Sequence, residues 1–252
     1  MSGHSDALPK PLVEVGSRPL LWHVMSLYAS QGLNSFVLAL GYGGDRIREA
    51  IGSLGGVRAV ERPEARDKDA DDETWDVTFV DTGLETPTGG RVARVAGLID
   101  DGTFCLTYAD GVADIRLASL VDYHSSHGAA ATVTVVRPRN PWGVTELDGD
   151  GRVTGFQEKP PLDCWVNGGF FVMEPRALAY VGPDDVLETD PLESLARDGE
   201  LRGYRHDGFW DCMDTYKDTL RLNDLWERGE ALWNEQGSRQ GSRVGSETGA
   251  PR

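Results

Sequence analysis

The chain is organised around the segment Phe104-Cys105-Leu106-Thr107-Tyr108-Ala109-Asp110-Gly111-Val112-Ala113-Asp114. Its first half is a short run of aromatic and branched residues, which predicts a buried strand. Its second half changes abruptly to Ala109-Asp110-Gly111 and ends on a second aspartate, Asp114. Open α/β sheets bind ligands just beyond the carboxyl ends of their strands, and Asp110 falls at such a position.

The position of Asp110 has two interpretations, a carboxylate that binds a ligand or a residue of a solvated turn. Burying a lone carboxylate is costly, so it requires a cation or a hydrogen-bond network. Magnesium carried by a nucleotide would satisfy it, because hard cations take carboxylate oxygens as ligands. The alternative is a solvated turn built on Asp110-Gly111, since Asp-Gly is a common pair in loops. These residues by themselves leave both interpretations open.

Composition narrows the classes of function. Acidic residues outnumber basic residues by 41 to 25, which gives the 252-residue chain a net charge of −16. Sequence-independent nucleic-acid binding needs a basic face, and anionic membranes attract basic segments, so we expect neither partner.

No apolar run reaches the length of a membrane span, and the first residues do not resemble a signal peptide. Three widely spaced cysteines predict no disulfide framework, and the expected location is the cytoplasm.

Strand and helix patterns alternate along the chain. Buried strands are predicted at Ser35 to Leu40, Val77 to Val80 and Ala131 to Val136, with amphipathic helices between them. A hairpin is predicted for residues 144–157, around the turn Asp148-Gly149-Asp150-Gly151. The pattern predicts one α/β domain over residues 1–236. Residues 237–252 are rich in Gly, Ser and Arg, which predicts a disordered tail.

Three further segments carry candidate ligand contacts. Prolines on both sides of Lys10 predict a stiff, extended backbone that presents this lysine at a fixed place. Gly89-Gly90 at a helix start allows backbone amides to approach a ligand, although a plain glycine cap is equally compatible. Gly168-Gly169 inside a strand indicates either a close ligand approach or a bulge.

Eight sequence blocks, taken together and in order, show a family resemblance. They resemble the sugar-nucleotide pyrophosphorylase family of nucleotidyltransferases and, within it, the glucose-1-phosphate cytidylyltransferases, over nearly the whole chain to about Trp233. The blocks are Pro9-Lys10-Pro11-Leu12-Val13-Glu14-Val15-Gly16, Val80-Asp81-Thr82-Gly83, Thr88-Gly89-Gly90-Arg91, Thr107-Tyr108-Ala109-Asp110-Gly111-Val112-Ala113-Asp114, Phe156-Gln157-Glu158-Lys159-Pro160, Asn167-Gly168-Gly169-Phe170-Phe171-Val172, Gly208-Phe209-Trp210 and Met213-Asp214-Thr215.

The resemblance implies a fold and a reaction. The fold is a three-layer, Rossmann-like nucleotide-diphospho-sugar transferase fold with a mostly parallel mixed sheet. In the reaction, an oxygen of a sugar 1-phosphate attacks the α-phosphorus of CTP, pyrophosphate leaves and CDP-glucose forms. The implied partners are therefore CTP, or another nucleoside triphosphate, and a sugar 1-phosphate. A homo-oligomer is a further expectation, and the implied role is sugar-nucleotide supply.

The resemblance also assigns roles to particular residues. Asp110 and Asp214 would hold the magnesium ion that bridges the reacting phosphates. Lys10 would contact phosphate and Lys159 the phosphate of the sugar. The remaining substrate contacts fall into two groups: Glu158, Asn167 and Gly168 at the sugar, and Thr88, Gly89 and Gly90 at the base and ribose. Phosphoryl transfer depends mainly on positioning and charge neutralisation, which suits this set of lysines and carboxylates.

One departure from the family pattern affects both fold and chemistry. The family places a strand and a Gly-Gly-x-Gly-Thr-Arg loop ahead of the segment around Lys10, and these 252 residues contain neither. We therefore expect an amino-terminally truncated domain whose sheet lacks its first, central strand. Neighbouring buried strands would then keep unpaired backbone groups.

Two alternatives to an active transferase remain. The first is a catalytically impaired homologue that binds sugar phosphate or nucleotide without turnover, which would explain the missing loop. The second is a nicotinamide-dependent dehydrogenase, suggested by Gly41-Tyr42-Gly43-Gly44-Asp45-Arg46 after a strand. The dinucleotide fingerprint requires a third glycine where Arg46 stands, so the sequence disfavours this alternative.

Overall fold

A computed structural model of the protein describes residues 8–63 and 74–234, so the predicted tail at 237–252 lies outside the described residues. Within these ranges the helices are α1 (Leu20–Ala29), α2 (Gly44–Gly52), α3 (Thr88–Val95), α4 (Leu117–His127), α5 (Asp190–Arg197) and α6 (Tyr216–Glu227). The strands are β1 (Glu14–Val15), β2 (Arg18–Pro19), β3 (Ser35–Leu40), β4 (Val57–Ala59), β5 (Trp75–Asp81), β6 (Phe104–Thr107), β7 (Gly111–Ala113), β8 (Ala131–Val136), β9 (Val144–Leu147), β10 (Val153–Gln157), β11 (Val166–Met173), β12 (Leu201–Arg205) and β13 (Trp210–Cys212).

The described strands form two larger sheets. One has the order β3-β5-β4 and the other the order β12-β8-β11-β6. β3, β5 and β4 pair in parallel, as do β12 and β8, whereas β11 is antiparallel to both of its neighbours. The predicted α/β class with a mostly parallel mixed sheet is therefore confirmed, with the sheet divided into two parts.

Helices cover both faces of the second sheet. Successive residues of a strand point to opposite faces, and the pair Phe170 and Phe171 of β11 shows this directly, because both are fully buried in different clusters. Phe170 packs in a cluster that includes Leu120 of α4, and Phe171 packs in one that includes Leu195 of α5. This arrangement produces the layered α/β/α architecture. None of the described helices combines the length and the apolar content that crossing a membrane requires.

A bulge interrupts β11 next to the candidate site. Asn167 pairs with Val135, but the next paired residue, Phe171, lies opposite Val133, so the register shifts between them. Gly169 within this bulge has a φ of +81°, which favours glycine. The structure therefore shows a bulge, one of the two predicted reasons for these glycines, and the close approach of a ligand stays a prediction.

Besides the short β1–β2 pair, two small antiparallel pairs of described strands lie outside the larger sheets. The β9–β10 hairpin occupies the predicted residues. The second pair, β7 with β13, places Cys212 opposite Gly111, and the backbone amide of Met213 donates to the Asp110 carbonyl at 2.9 Å. This pairing brings the chain around Asp214 beside the chain around Asp110, although about a hundred residues separate them in the sequence.

A large apolar cavity separates the two sheets. Among the described strands, β3 and β6 are edge strands, and all their residues line a cavity of about 820 Å³ together with side chains such as Leu21, Met25 and Val172. An open strand edge carries backbone groups that lack a ladder partner on one side.

The open edges predict an asymmetric pattern of amide exchange. In hydrogen–deuterium exchange at residue resolution, the amides of β3 that point into the cavity should exchange faster than those paired with β5. The physical reason is that an unpaired amide needs no local opening to exchange. Equal protection of both sets in β3 and in β6 would contradict an open cavity.

His23 of α1 is a buried core residue with both ring nitrogens in contact. Its Nε2 lies 2.9 Å from the Val15 carbonyl, to which it donates, and its Nδ1 accepts from the indole N–H of Trp233 at 3.3 Å. Burial lowers the pKa of His23 to about 4. A second proton would place two donors face to face, so the fold requires the neutral ring.

This arrangement predicts acid sensitivity between pH 6.5 and pH 4. The folded-state pKa lies below the unfolded value of 6.5, so the stabilisation is complete above pH 6.5 and is lost as the pH falls towards 4. The loss attributable to His23 is about 3 kcal/mol at most. Urea unfolding of the wild type and of His23→Gln across this range measures it. A free-energy difference between the two proteins that does not change with pH would contradict the assignment.

Candidate active site

A small pocket that contains two aspartates lies where β6, β7, β11 and β13 meet. Its volume is about 170 Å³. The lining residues are Thr107, Tyr108, Asp110, Gly111, Asn167, Gly168, Gly169, Phe170, Trp210, Cys212 and Asp214. The structure therefore brings together four of the predicted site residues, which are Asp110, Asp214, Asn167 and Gly168.

Two carboxylates and one lysine form the charged part of this pocket. Asp110 follows the end of β6, and Asp214 follows the end of β13. The Lys10 ammonium donates to Asp214 Oδ1 at 2.9 Å, from the short 3₁₀ segment Lys10–Leu12. The proline-flanked lysine is thus placed directly at the acidic pair.

The pKa shifts show that the three groups interact. Burial, reinforced by the charge of Asp214, raises the pKa of Asp110 above its ordinary value, and Lys10 opposes the shift. The hydrogen bond to Asp214 raises the pKa of Lys10. Burial, followed by the nearby carboxylates, raises the pKa of the Cys212 thiol to about 12, so this thiol stays protonated at neutral pH. Because Lys10 balances only one of the two carboxylates, the group keeps a net negative charge, which favours binding of a cation there.

Asn167 is held in a defined orientation. Its Oδ1 accepts from the Gly169 amide at 2.8 Å, and its Nδ2 donates to the Tyr108 hydroxyl at 3.1 Å. The Gly168 carbonyl accepts from the Trp210 indole at 2.8 Å, which ties the bulge to β13. The second Nδ2 hydrogen of Asn167 is available to a ligand hydroxyl, since the amide nitrogen has two donors.

Glu158 and Lys159 do not line this pocket. They follow β10, their side chains are mostly exposed, and Lys159 Nζ lies 3.7 Å from Glu158 Oε1. Lys159 has a φ of +47°, the one positive value among the described residues other than glycine. Its carbonyl accepts from Arg139 at 3.4 Å, and the neighbouring Pro160 carbonyl accepts from the Asn140 amide. The structure thus holds this lysine in an unfavourable backbone conformation, a feature common at functional sites.

The predicted base-binding residues lie elsewhere. Gly89 and Gly90 are buried beneath the backbone of residues 183–185, and a Cβ on Gly90 would approach the Pro183 carbonyl to 2.2 Å. The Gly90 amide donates to the Asp185 carbonyl at 3.0 Å. Close backbone packing therefore accounts for both glycines in this structure, and their contact with a base stays a prediction.

Thr88 and Tyr108 both lie close to Glu188. The Thr88 hydroxyl donates to Glu188 Oε2 at 2.7 Å, and Asn167 donates to the Tyr108 hydroxyl at 3.1 Å. Burial, then the interaction with Glu188, raises the pKa of Tyr108, so its hydroxyl stays protonated. Sequence reasoning assigned no role to Tyr108 or Glu188. Their contact spans 80 residues, so no local pattern marks it.

The metal-binding capacity of the site is limited to its two carboxylates. In the described parts of the chain, no group of three or more His, Cys, Asp or Glu side chains is arranged to hold a metal. Magnesium is commonly bound by one or two carboxylates together with substrate phosphates and water. The pair Asp110 and Asp214 fits that pattern.

Comparison with known proteins identifies the family. The family model described as nucleotidyl transferase matches residues 5–230. The chain belongs to the nucleotidyl transferase family. In this family the pocket between β6, β11 and β13 becomes the candidate site of transfer.

The relatives of this nucleotidyl transferase cover most of its length. It is 40% identical to a protein named probable glucose-1-phosphate cytidylyltransferase from Bacillus subtilis, over 92% of this chain and 94% of the relative. It is 41% identical to the glucose-1-phosphate cytidylyltransferase of Salmonella typhi, over 92% and 93% of the two chains. The crystal structure of HddC from Yersinia pseudotuberculosis has the same fold, with a TM-score of 0.63, 19% identity and coverage of 87% and 91%.

The raised pKa of Asp110 predicts that neutralising this residue stabilises the metal-free protein. Its folded-state pKa lies above the unfolded value, so ionisation costs stability at neutral pH, and the cost disappears as the pH falls through the folded-state pKa. Asp110→Asn should therefore unfold at higher urea than the wild type at pH 7 with EDTA present. The gain should shrink towards pH 4.

The matched control is Asp150→Asn, a carboxylate in the exposed β9–β10 turn, which should change little. A loss of stability in Asp110→Asn at pH 7 would mean that the carboxylate is well compensated without a metal.

Proposed function

We propose that the chain is a glucose-1-phosphate cytidylyltransferase that converts CTP and glucose 1-phosphate to CDP-glucose and pyrophosphate. The observation that carries the proposal is the identity of about 40% with glucose-1-phosphate cytidylyltransferases across 92% of the chain. The pocket geometry supports it, because Lys10, Asp110 and Asp214 supply charges suited to phosphoryl transfer.

In this reaction the substrates supply the nucleophile, the phosphorus that it attacks and the leaving group, so no side chain has to act as a nucleophile. A phosphate oxygen of glucose 1-phosphate forms a bond to the α-phosphorus of CTP. The bond from that phosphorus to the bridging oxygen of the β-phosphate breaks, and pyrophosphate leaves with the electron pair. The enzyme has to position two anions and neutralise the charge that would otherwise keep them apart.

Magnesium is the proposed cofactor, held by Asp110 and Asp214. The fit rests on the raised pKa of Asp110, since a cation would compensate the charge that burial and Asp214 destabilise. When bound, magnesium neutralises negative charge on the reacting phosphate oxygens. The Lys10 ammonium, now paired with Asp214, would turn to a phosphate oxygen once that carboxylate has another cation as partner.

The remaining side chains would bind and orient the sugar phosphate and the nucleotide. Asn167 offers one free amide hydrogen to a sugar hydroxyl, beside Gly168 in the bulge. Lys159 would neutralise the sugar phosphate and Glu158 would accept from a sugar hydroxyl. Thr88, Gly89 and Gly90 would contact the base and ribose, which requires the loop at 183–185 to make room for them.

The proposed setting is the cytoplasm, where nucleoside triphosphates are available, and the reaction would supply sugar nucleotide for glycan or deoxysugar synthesis. The net charge of −16 supports local rather than general recognition of anionic substrates. A homo-oligomer stays a prediction.

Pyrophosphate release from CTP and glucose 1-phosphate, with magnesium present, tests the proposal. The wild type should release pyrophosphate only when both substrates are present. Asp214→Asn should lower kcat/KM by about a hundredfold or more, as loss of one transition-state contact does. Lys159→Ala should mainly raise KM for glucose 1-phosphate, because its charge binds the ground-state phosphate as well.

Asp150→Asn, in the exposed hairpin turn, is the matched control and should retain wild-type turnover. If glucose 1-phosphate binds but no pyrophosphate forms, the chain is the catalytically impaired binding homologue instead. Turnover that Asp214→Asn leaves unchanged would contradict the role assigned to this carboxylate.

A further inference from the structure

The loop that carries Asp214 is held by a network of charged side chains from α6. We infer that Asp218 and Arg221 are positioning residues that fix the Asp214 carboxylate relative to Asp110. The inference rests on the proposed function, in which Asp214 holds the metal ion. Neither residue was singled out by the sequence, because each acts through a contact that forms only in the folded chain.

Asp218 holds the backbone of Asp214 and Thr215. Its Oδ2 accepts from the Asp214 amide at 3.2 Å, the Thr215 amide at 2.8 Å and the Thr215 hydroxyl at 2.7 Å. The contacts with Thr215 form a capping box at the start of α6. The contact with the Asp214 amide goes beyond what a helix cap requires, since Asp214 precedes the N-cap residue. One carboxylate oxygen therefore fixes the peptide groups on both sides of the Asp214 Cα.

Arg221 ties the two flanks of the same loop together. Its guanidinium binds both oxygens of Asp211, with Nε 2.7 Å from Oδ2, and it also lies 2.9 Å from Asp218 Oδ1. Asp211 belongs to β13, three residues before Asp214, and Asp218 lies four residues after it. A planar guanidinium supports such a fork, whereas a lysine ammonium would not reproduce it.

The two carboxylates that Arg221 binds are largely removed from solvent, whereas Arg221 itself is 46% exposed, and all three groups remain charged. The side chains of Asp211 and Asp218 are 14% and 17% exposed, against 62% for Asp214. Burial works against the ionised form of Asp218, yet the hydrogen bonds from Thr215 hold its pKa below the ordinary value. The hydrogen bond to Asp211 raises the pKa of Arg221. The clamp is therefore ionised throughout the neutral pH range.

Asp110 is fixed to the same frame from the other side. β13 pairs with β7, and the Met213 amide donates to the Asp110 carbonyl at 2.9 Å. The Asp214 side chain has few restraints of its own, because within the described residues its polar contacts are with Lys10 and, weakly, with the Cys212 thiol at 3.6 Å. Its position relative to Asp110 therefore depends on the backbone that Asp218 and Arg221 hold.

The test is the affinity of the full chain for Mn²⁺ with CTP bound and glucose 1-phosphate absent, so that no turnover occurs. Free Mn²⁺ is measured by electron paramagnetic resonance. Asp218→Ala should weaken Mn²⁺ binding about 10- to 100-fold, the usual effect of losing a group that orients a metal ligand. Asp218→Asn keeps an acceptor for the backbone amides and should recover part of the affinity. The thermal midpoint of each variant is recorded alongside.

The chain offers a matched control on the same helix. Asp224 pairs with Arg228 at 2.7 Å and is remote in sequence from the Asp214 loop, so Asp224→Ala removes a comparable ion pair. It should leave Mn²⁺ affinity unchanged. If Asp218→Ala also leaves it unchanged and lowers only the thermal midpoint, Asp218 is a helix cap and the inference is overturned.

A second variant covers the case in which Asp218→Ala does not fold. Arg221→Lys keeps the charge but loses the fork, and it should weaken Mn²⁺ binding severalfold. Wild-type affinity in that variant would overturn the inference. If the wild type and Asp214→Asn bind Mn²⁺ equally, the metal-binding role proposed for Asp214 is wrong. The inference about Asp218 and Arg221, which rests on that role, then fails with it.

Discussion

The antiparallel pairing of β7 with β13 is the constraint on which the candidate site depends. It sets Cys212 opposite Gly111 and joins Met213 to the Asp110 carbonyl, so two aspartates from distant parts of the chain share one small pocket. Two ionised carboxylates in one pocket repel each other, which costs free energy unless a cation lies between or beside them. Lys10 provides one positive charge, and a metal ion with substrate would provide the rest.

The site is built by long-range contacts on rigid elements. Asn167, beside the bulge at Gly168-Gly169, donates to the Tyr108 hydroxyl, and Glu188 accepts from the Thr88 hydroxyl. Glu188 also raises the pKa of Tyr108, so the predicted contacts for the sugar and for the nucleotide lie in one electrostatically linked region.

Much of this arrangement could be predicted from the sequence, because local patterns specify local structure. Periodicity and turn residues predict the strands at Ser35–Leu40 and Ala131–Val136, the hairpin around residues 148–151 and the position of Asp110 after β6.

The proximity of Asp110 and Asp214 was predicted only through the family resemblance, since pairing across a hundred residues leaves no local pattern. The packing of Gly90 under Pro183 and the clamp of Arg221 on Asp211 likewise depend on tertiary contacts.

Phosphorus NMR of the wild-type chain with CTP, glucose 1-phosphate and magnesium follows both substrates and both products at once. We expect the resonances of CTP and glucose 1-phosphate to decline together while those of CDP-glucose and pyrophosphate grow in equal amounts. Unchanged spectra would rule out this transfer. So would the appearance of CMP and pyrophosphate alone, because water rather than the sugar phosphate would then be the nucleophile.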